Sequence, residues 1–272
     1  MTLDIPLPPT LERQVVKNCL FDAVEENINW KMFYNKHMGV KGDIAALRRS
    51  GDSKFMSLQA TATGMLRELE DTACFSFDFV YRFVPCHSLG DSILFYDSSH
   101  TVFAQHEVAF PRQPDGEKLC LADLIAPASS GQLDYTAMFA CTCGGKFLEF
   151  SKKLRERGEY VKSHTLNMLA ITLAEALAET AHSAVRGAWG FADPEEMVPS
   201  DRLDGRYRGK RFSFGYPACP DLSGQKVLFA LLKPEDIGIQ LSEGLMMEPE
   251  ASVSALVFHN RAARSFVAQN GD

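Results

Sequence analysis

Two groups of residues carry side chains able to do chemistry. The first is RFSFGYPACPDL, residues 211–222. Proline fixes φ, lacks a backbone donor and pushes the residue before it toward extended conformations. Tyr216-Pro217 and Cys219-Pro220 therefore predict a stiff, extended track with few ladder hydrogen bonds. Its carbonyls and the Ala218 amide would be free for a ligand, and Gly215 would let a group approach the backbone closely. Arg211 offers a planar fork suited to a carboxylate. This chemistry fits a small ligand with a carboxylate and a flat polar ring; the alternative is a rigid surface loop. The second group is Glu175, Glu179, His182 and Arg186, whose steps of four, three and four residues form one helical ridge. The ridge is either a row of solvated salt bridges or a carboxylate held at the edge of a cleft.

Two further motifs need a reading. Alternation puts Cys141 and Cys143 on one face of a strand. A metal site would need two more ligands at matching spacing, and the chain has no CxxC, no HxxxH and seven dispersed histidines. The pair reads as small apolar side chains packed under a helix. Gly144-Gly145 opens a helix and could cradle a phosphate. Without the rest of a Walker or Rossmann fingerprint, the glycines read as a turn with close packing.

The elements that must position these groups follow from periodicity. Apolar residues at helical spacing predict helices over 11–27, 54–70, 146–158, 160–188 and 225–233. In the second, Phe55, Leu58, Met65, Leu66 and Leu69 mark the buried face. INWKMFY (28–34) suits an irregular or extended piece. Residues 73–110 predict short antiparallel strands cut by Pro85, by Leu89-Gly90-Asp91 and by the turn from Asp97 to His100. A strand followed by a short turn is predicted within 118–126, with further strands over 135–143, at 251–258 and at 265–268, and a surface loop over 190–210. Helices and strands interleave without a βαβ rhythm, which predicts an α+β fold. An extended Pro-rich arm, 1–10, would precede a single domain over 11–272.

Composition excludes other classes. The chain has 272 residues, 46% hydrophobic and 23% charged, as in ordinary globular domains. A net charge of −7 disfavours a nucleic-acid binder. No run approaches the ~18 apolar residues of a membrane helix. The opening MTLDIPLPPT lacks the basic and apolar regions of a signal peptide. Seven scattered cysteines, an odd number, predict reduced thiols and a cytoplasmic location.

The stretch GKRFSFGYPACPD (209–221) resembles the activation domain of cobalamin-dependent methionine synthase, whose GYPACP core is long and specific. LAEALAETAHSAVRGAWG (173–190), DIGIQLSEGLMMEPEASVSALVFHN (236–260), LGDSILFYD (89–97), residues 121–144 and INWKMFY (28–34) are similar to its other segments, so the resemblance spans 10–269. It implies a single C-shaped α+β domain with a bent, mainly antiparallel sheet flanked by helices. It also implies binding of S-adenosylmethionine, capping of cobalamin held by a partner protein, and an electron from a flavodoxin-like donor.

By the same resemblance, Arg211 contacts S-adenosylmethionine. Tyr216 and the backbone of Gly215, Pro217, Ala218 and Cys219 form the track beside the ligand and the corrinoid edge, and Glu175 lies near the ligand amino group. The chain departs from the family where Asn29 replaces an aspartate, Gly205 an acid (with Asp204 adjacent), Arg264-Ser265 a tyrosine pair and Leu222 a histidine. Asn29, Arg264 and Ser265 thus stand at ligand-facing positions with altered chemistry. Two expectations result. One is an accessory subunit that binds S-adenosylmethionine and supports reductive methylation of cob(II)alamin on a separate corrinoid protein, within a split methionine synthase. The other is a non-catalytic docking or sensor protein that has lost or changed that ligand.

Overall fold

The computed structural model describes residues 4–72, 74–97 and 104–268. The tip of the expected arm (1–3), most of the turn expected after Asp97, the last residues (269–272) and the side chain of Leu69 lie outside the description.

The first departure from expectation comes at once. β1 (Gln14–Val16) and α1 (Phe21–Glu25) occupy the stretch expected as one helix over 11–27. The β-branched Val15 and Val16 pair with Val80 and Phe79, an edge that a helix could not satisfy. Asn18, at φ 56°, then turns the chain, and its amide donates to Asp78 Oδ1 at 2.7 Å. α2 (Trp30–Met32) and a π-helical turn over Phe33–His37 replace the irregular piece expected at 28–34. Asn29 caps this helix, its side chain accepting from the Met32 amide at 2.9 Å. α3 (Ile44–Ser50) leads into α4 (Ser53–Asp71), which matches the second expected helix.

β2 (Asp78–Leu89), β3 (Ser92–Phe95), β4 (His106–Ala109) and β5 (Asp134–Thr142) follow. β2 runs through Pro85, where the sequence predicted a break. One flank of β2 pairs with β1 up to Tyr81 and with β3 from Cys86. The Pro85 carbonyl accepts from Tyr96 on that same flank, so its missing N–H faces Tyr96 at the end of the β3 pairing and forfeits one ladder bond there, while the pairing with β5 runs on through Pro85. Within 118–126 the expected strand does not form, and the expected turn is a 3-10 turn, Leu121–Leu124, closed by Asp123 accepting from the Cys120 amide at 3.2 Å.

α5 (Lys146–Glu156) and α6 (Tyr160–Ala188) fall where expected. Gly144, at φ +74°, sets the turn before α5; a Cβ there would lie 2.6 Å from Ser76 Oγ, so close packing requires glycine. The stretch 190–210 contains α7 (Pro199–Leu203). β6 (Lys210–Phe212), α8 (Gln225–Leu232), β7 (Gln240–Leu241), β8 (Met247–Glu248) and β9 (Ser252–Phe258) complete the regular structure. Residues 265–268 are irregular rather than a strand.

The main sheet has the order β4-β3-β2-β5-β9-β6 with β1 beside β2, and its strand pairs are antiparallel. It is open and buried on both faces. Phe79, Phe83, Phe139, Cys141 and Cys143 pack under α6 and α4. Val80, Val84, Met138 and Ala140 pack against α8. All residues of β5 are buried, so alternation sorts its side chains between two cores rather than between core and solvent. The two thiols of β5 and its end lie together on the α6 side, with Cys141 Sγ 3.8 Å from the Ala174 carbonyl. All seven cysteines are unpaired and six are buried. Among the described residues, no helix is long and apolar enough to cross a membrane.

Candidate functional site

The site is built at the C-terminal end of β6, where Arg211 pairs with Val257 and the chain then leaves the sheet. The GYPACP segment is not the extended track predicted from its prolines. The Cys219 amide donates to the Tyr216 carbonyl and the Gly215 amide to the Cys219 carbonyl, each at 2.9 Å. Tyr216-Pro217-Ala218-Cys219 is thus a tight turn with proline at its second position, where a fixed φ favours turning as much as extension. Gly215 makes the turn possible: its φ is +86°, and a Cβ would lie 2.9 Å from Leu222 Cδ2. The Pro217 carbonyl accepts from the Ala268 amide at 2.9 Å, which ties the tail of the chain to the turn. Most carbonyls here are therefore engaged, contrary to expectation. The Ala218 amide, as expected, has no hydrogen-bond partner among the described residues.

A cleft of about 460 Å³ opens between this turn, α6 and the tail, lined among others by Glu175, Arg211, Tyr216, Ala218 and Ser265. A second recess of about 430 Å³ shares Glu175, Arg211 and Tyr216 and reaches Asn29, Met32 and Leu203. The fold thus brings together Glu175, Arg211, Tyr216, Pro217, Ala218, Cys219 and Ser265, with Asn29 on the far side of the shared wall. Gly215 and Arg264 are not among the lining residues. Gly215 shapes the turn behind the wall, and Arg264 pairs with Glu117 in solvent. Gly205 turns its carbonyl to the Lys210 ammonium, and Asp204 pairs with Arg206 at 3.0 Å. Sequence reasoning missed Phe266 and Val267 as lining residues; their apolar spacing suggested a strand and not a wall.

Behind the cleft the Glu175–Arg186 ridge departs from the solvated reading. Glu179, His182 and Arg186 are buried, and Glu175 alone reaches solvent, with its side chain 49% exposed. The segment after α6 folds back over this face and supplies Asp193 and Tyr207. Arg186 holds Asp193 with both arms of its fork, Nε at 2.7 Å and Nη2 at 2.6 Å, and reaches Glu179 at 3.2 Å. The Tyr207 ring lies 3.7 Å from the Arg186 guanidinium carbon, and its hydroxyl donates to Glu179 at 3.2 Å. Glu179 also accepts from Arg211 Nη1, while Arg211 Nη2 lies 3.9 Å from Glu175. One buried carboxylate therefore joins two arginines, and only the outer edge of Arg211 faces the cleft.

The electrostatics follow from this arrangement. Burial works against the charge on Arg211, but Glu179, Tyr207 and Glu175 outweigh it and raise its pKa. Burial and the Glu179 charge push Tyr207 up to about 12, so it stays a donor. Burial, helped by Arg186, Arg211 and Lys210, drives His182 well below the ordinary histidine value. A neutral His182 accepts at Nδ1 from Arg211 Nη1, at 3.5 Å.

This depressed value sets a pH dependence. Above 6.5, the reference value, His182 is neutral folded and unfolded, and full stability is present. As the pH falls below that, only the unfolded chain takes up the proton, and stability is lost by up to about 1.4 kcal/mol per pH unit. His182→Gln is expected to remove this part of the acid sensitivity, measured as unfolding midpoints across the weakly acidic range. An unchanged slope in the variant would contradict the assignment.

Comparison with known proteins places these features in context. The family model described as the activation domain of vitamin B12 dependent methionine synthase matches residues 20–270. The chain is 34% identical to the methionine synthase of Mycobacterium tuberculosis over 200 residues, covering 69% of this chain and 17% of that protein. The Mycobacterium leprae methionine synthase is 32% identical over 200 residues, again 69% of this chain and 16% of that protein. The chain therefore spans about a sixth of the length of these curated relatives. The crystal structure of the MetH reactivation domain bound to AdoHcy superimposes with a TM-score of 0.91 at 26% identity, covering 97% of this chain and 83% of that one.

Proposed function

This chain belongs to the family of vitamin B12 dependent methionine synthase activation domains, and from that premise we propose that its cleft binds S-adenosylmethionine. We further propose that it serves, as an accessory subunit, the reductive methylation of cobalamin on a corrinoid protein supplied in trans. When bound, the ligand would supply the methyl group that, with one electron from a flavodoxin-like donor, converts cob(II)alamin to methylcobalamin and leaves S-adenosylhomocysteine.

The observation that carries the reading is the donor set around one cleft. The outer N–H groups of Arg211 suit the ligand carboxylate. The half-exposed Glu175 carboxylate suits an ammonium or sulfonium cation. The Ala218 amide, which has no partner among the described residues and belongs to a residue lining the cleft, suits an acceptor on a flat ring. Tyr216 is 58% exposed at the rim, where an amphipathic ring suits contact with a second macromolecule. The chain's contribution is to hold the ligand in one orientation at an open mouth, which is what a proximity effect across an interface requires.

Calorimetric titration of the purified chain with S-adenosylmethionine and with S-adenosylhomocysteine should give saturable binding. Mixing the loaded chain with a cobalamin-bearing module and a one-electron donor should then regenerate methylcobalamin, followed by its absorbance. No binding at millimolar ligand would end the proposal. Capture of the corrinoid module without ligand binding would select the docking or sensor role, to which the altered positions Asn29 and Arg264 point.

A further inference from the structure

We propose that Gln113 and Arg264 are positioning residues for ligand binding: through them the surface loop 113–119 clamps the tail that forms one wall of the cleft. The inference rests on the reading of that cleft as the S-adenosylmethionine site. Ser265, Phe266 and Val267 line the cleft, yet residues 265–268 belong to no strand. A segment without a ladder keeps its place only through what fastens it. Among the described residues, the backbone of this tail makes one bond to other main chain, from the Ala268 amide to the Pro217 carbonyl at 2.9 Å. Buried Ala268, and Phe266 with its ring 6.3 Å from that of Phe212, add packing. The remaining fastening comes from the loop.

The loop is rigid for its size. Gly116, at φ 71°, helps reverse the chain, and the two ends meet. The Gln113 amide donates to the Leu119 carbonyl at 3.0 Å, and the Leu119 amide donates back to Gln113 Oε1 at 3.1 Å. With Oε1 engaged inside the loop, the side-chain nitrogen Nε2 is aimed outward. It donates to the Val267 carbonyl at 2.8 Å. Arg112 anchors the base of the loop. Its Nη1 donates to the Lys118 carbonyl at 2.6 Å, its fork grips Asp123 at 2.7 and 2.8 Å, and its Nε donates to Asp91 at 2.9 Å. Near the tip, Glu117 pairs with Arg264. Arg264, one of the altered positions, thus bears on the cleft from outside it. The bonds run in series from Arg112 and Gln113 through Val267 and Ala268 to Pro217, so one small loop sets the tail wall and the GYPACP turn together.

Gln113→Glu isolates the clamp. The carboxylate still accepts from the Leu119 amide but has no hydrogen to give the Val267 carbonyl. The test uses the full chain, with hydrogen exchange read at the Ala268 amide by NMR and calorimetric titration with S-adenosylmethionine. In the variant this amide should exchange about two- to tenfold faster, and affinity should fall by a similar factor. The global unfolding midpoint should stay close to the parent's, and saturating ligand should restore protection at Ala268. Arg264→Glu should weaken binding about twofold or more, less so in high salt. Adding Glu117→Arg should recover the loss, a rescue by charge exchange that a merely local packing role would not give. Unchanged exchange at Ala268 in Gln113→Glu would overturn the clamp, and so would faster exchange with unchanged affinity. A parent that binds no S-adenosylmethionine would overturn the reading of the cleft instead, and the exchange at Ala268 would then judge the clamp alone.

Discussion

Arg211→Gln is expected to lower S-adenosylmethionine affinity by about two orders of magnitude, with a smaller loss of stability. Arg211 is the residue through which the cleft and the buried charge network meet. Its inner nitrogen is committed to Glu179, and its outer edge faces the cleft beside Glu175. A glutamine keeps some length but removes the cation and the second arm of the fork. Each charge-assisted hydrogen bond lost weakens binding by about 1.5–3 kcal/mol, roughly ten- to a hundredfold. The fold suffers less, because Glu179 keeps Arg186 at 3.2 Å and the Tyr207 hydroxyl at 3.2 Å. Arg211→Lys should fall between, since it keeps the charge and loses the planar geometry. Titration calorimetry of the three proteins gives the order directly. An affinity for Arg211→Gln within a few-fold of the parent would remove Arg211 from the binding site.

Glu179→Gln is expected to destabilise the protein by about 3–5 kcal/mol, the cost of breaking a buried ion pair by removing one partner. Glu179 is the single carboxylate between Arg186 and Arg211 and accepts from Tyr207 as well. Without it, the wholly buried Arg186 retains Asp193, but Arg211 loses its inner anchor. Ligand affinity should therefore fall together with stability, because the outer edge of Arg211 is no longer held in one place. Glu175→Gln is the control. Its carboxylate is 49% exposed and 3.9 Å from Arg211, so the stability change should stay within about 1 kcal/mol while affinity still drops. Chemical denaturation separates the two: equal stability losses in both variants would mean that the ridge is not divided into a buried anchor and a cleft-facing acid.

The helix that carries these residues was legible because its signal is local. A run of 29 residues with small and branched apolar side chains at helical spacing admits one reading. The same spacing put Glu175, Glu179, His182 and Arg186 on one ridge. It could not show that the 190–210 segment covers most of that ridge, because the covering residues, Asp193 and Tyr207, belong to no periodic pattern. The expected helix over 11–27 failed for a related reason. Val15 and Val16 fit either period, and the open flank of β2, more than sixty residues away, selected the strand.

The sequence by itself determined the antiparallel α+β class, the long central helix, the nearness of Arg211 to the GYPACP stretch and the family resemblance, all of which rest on short-range spacing and residue chemistry. Only the tertiary structure decided which of these groups meet. It bent the proline track into a turn, brought the irregular tail at 265–267 in as a wall, carried Arg264 away to Glu117, and buried Glu179 while leaving Glu175 at the cleft. The physical reason is that a side chain's charge and accessibility are set by what packs over it, and the covering segments here come from distant parts of the chain.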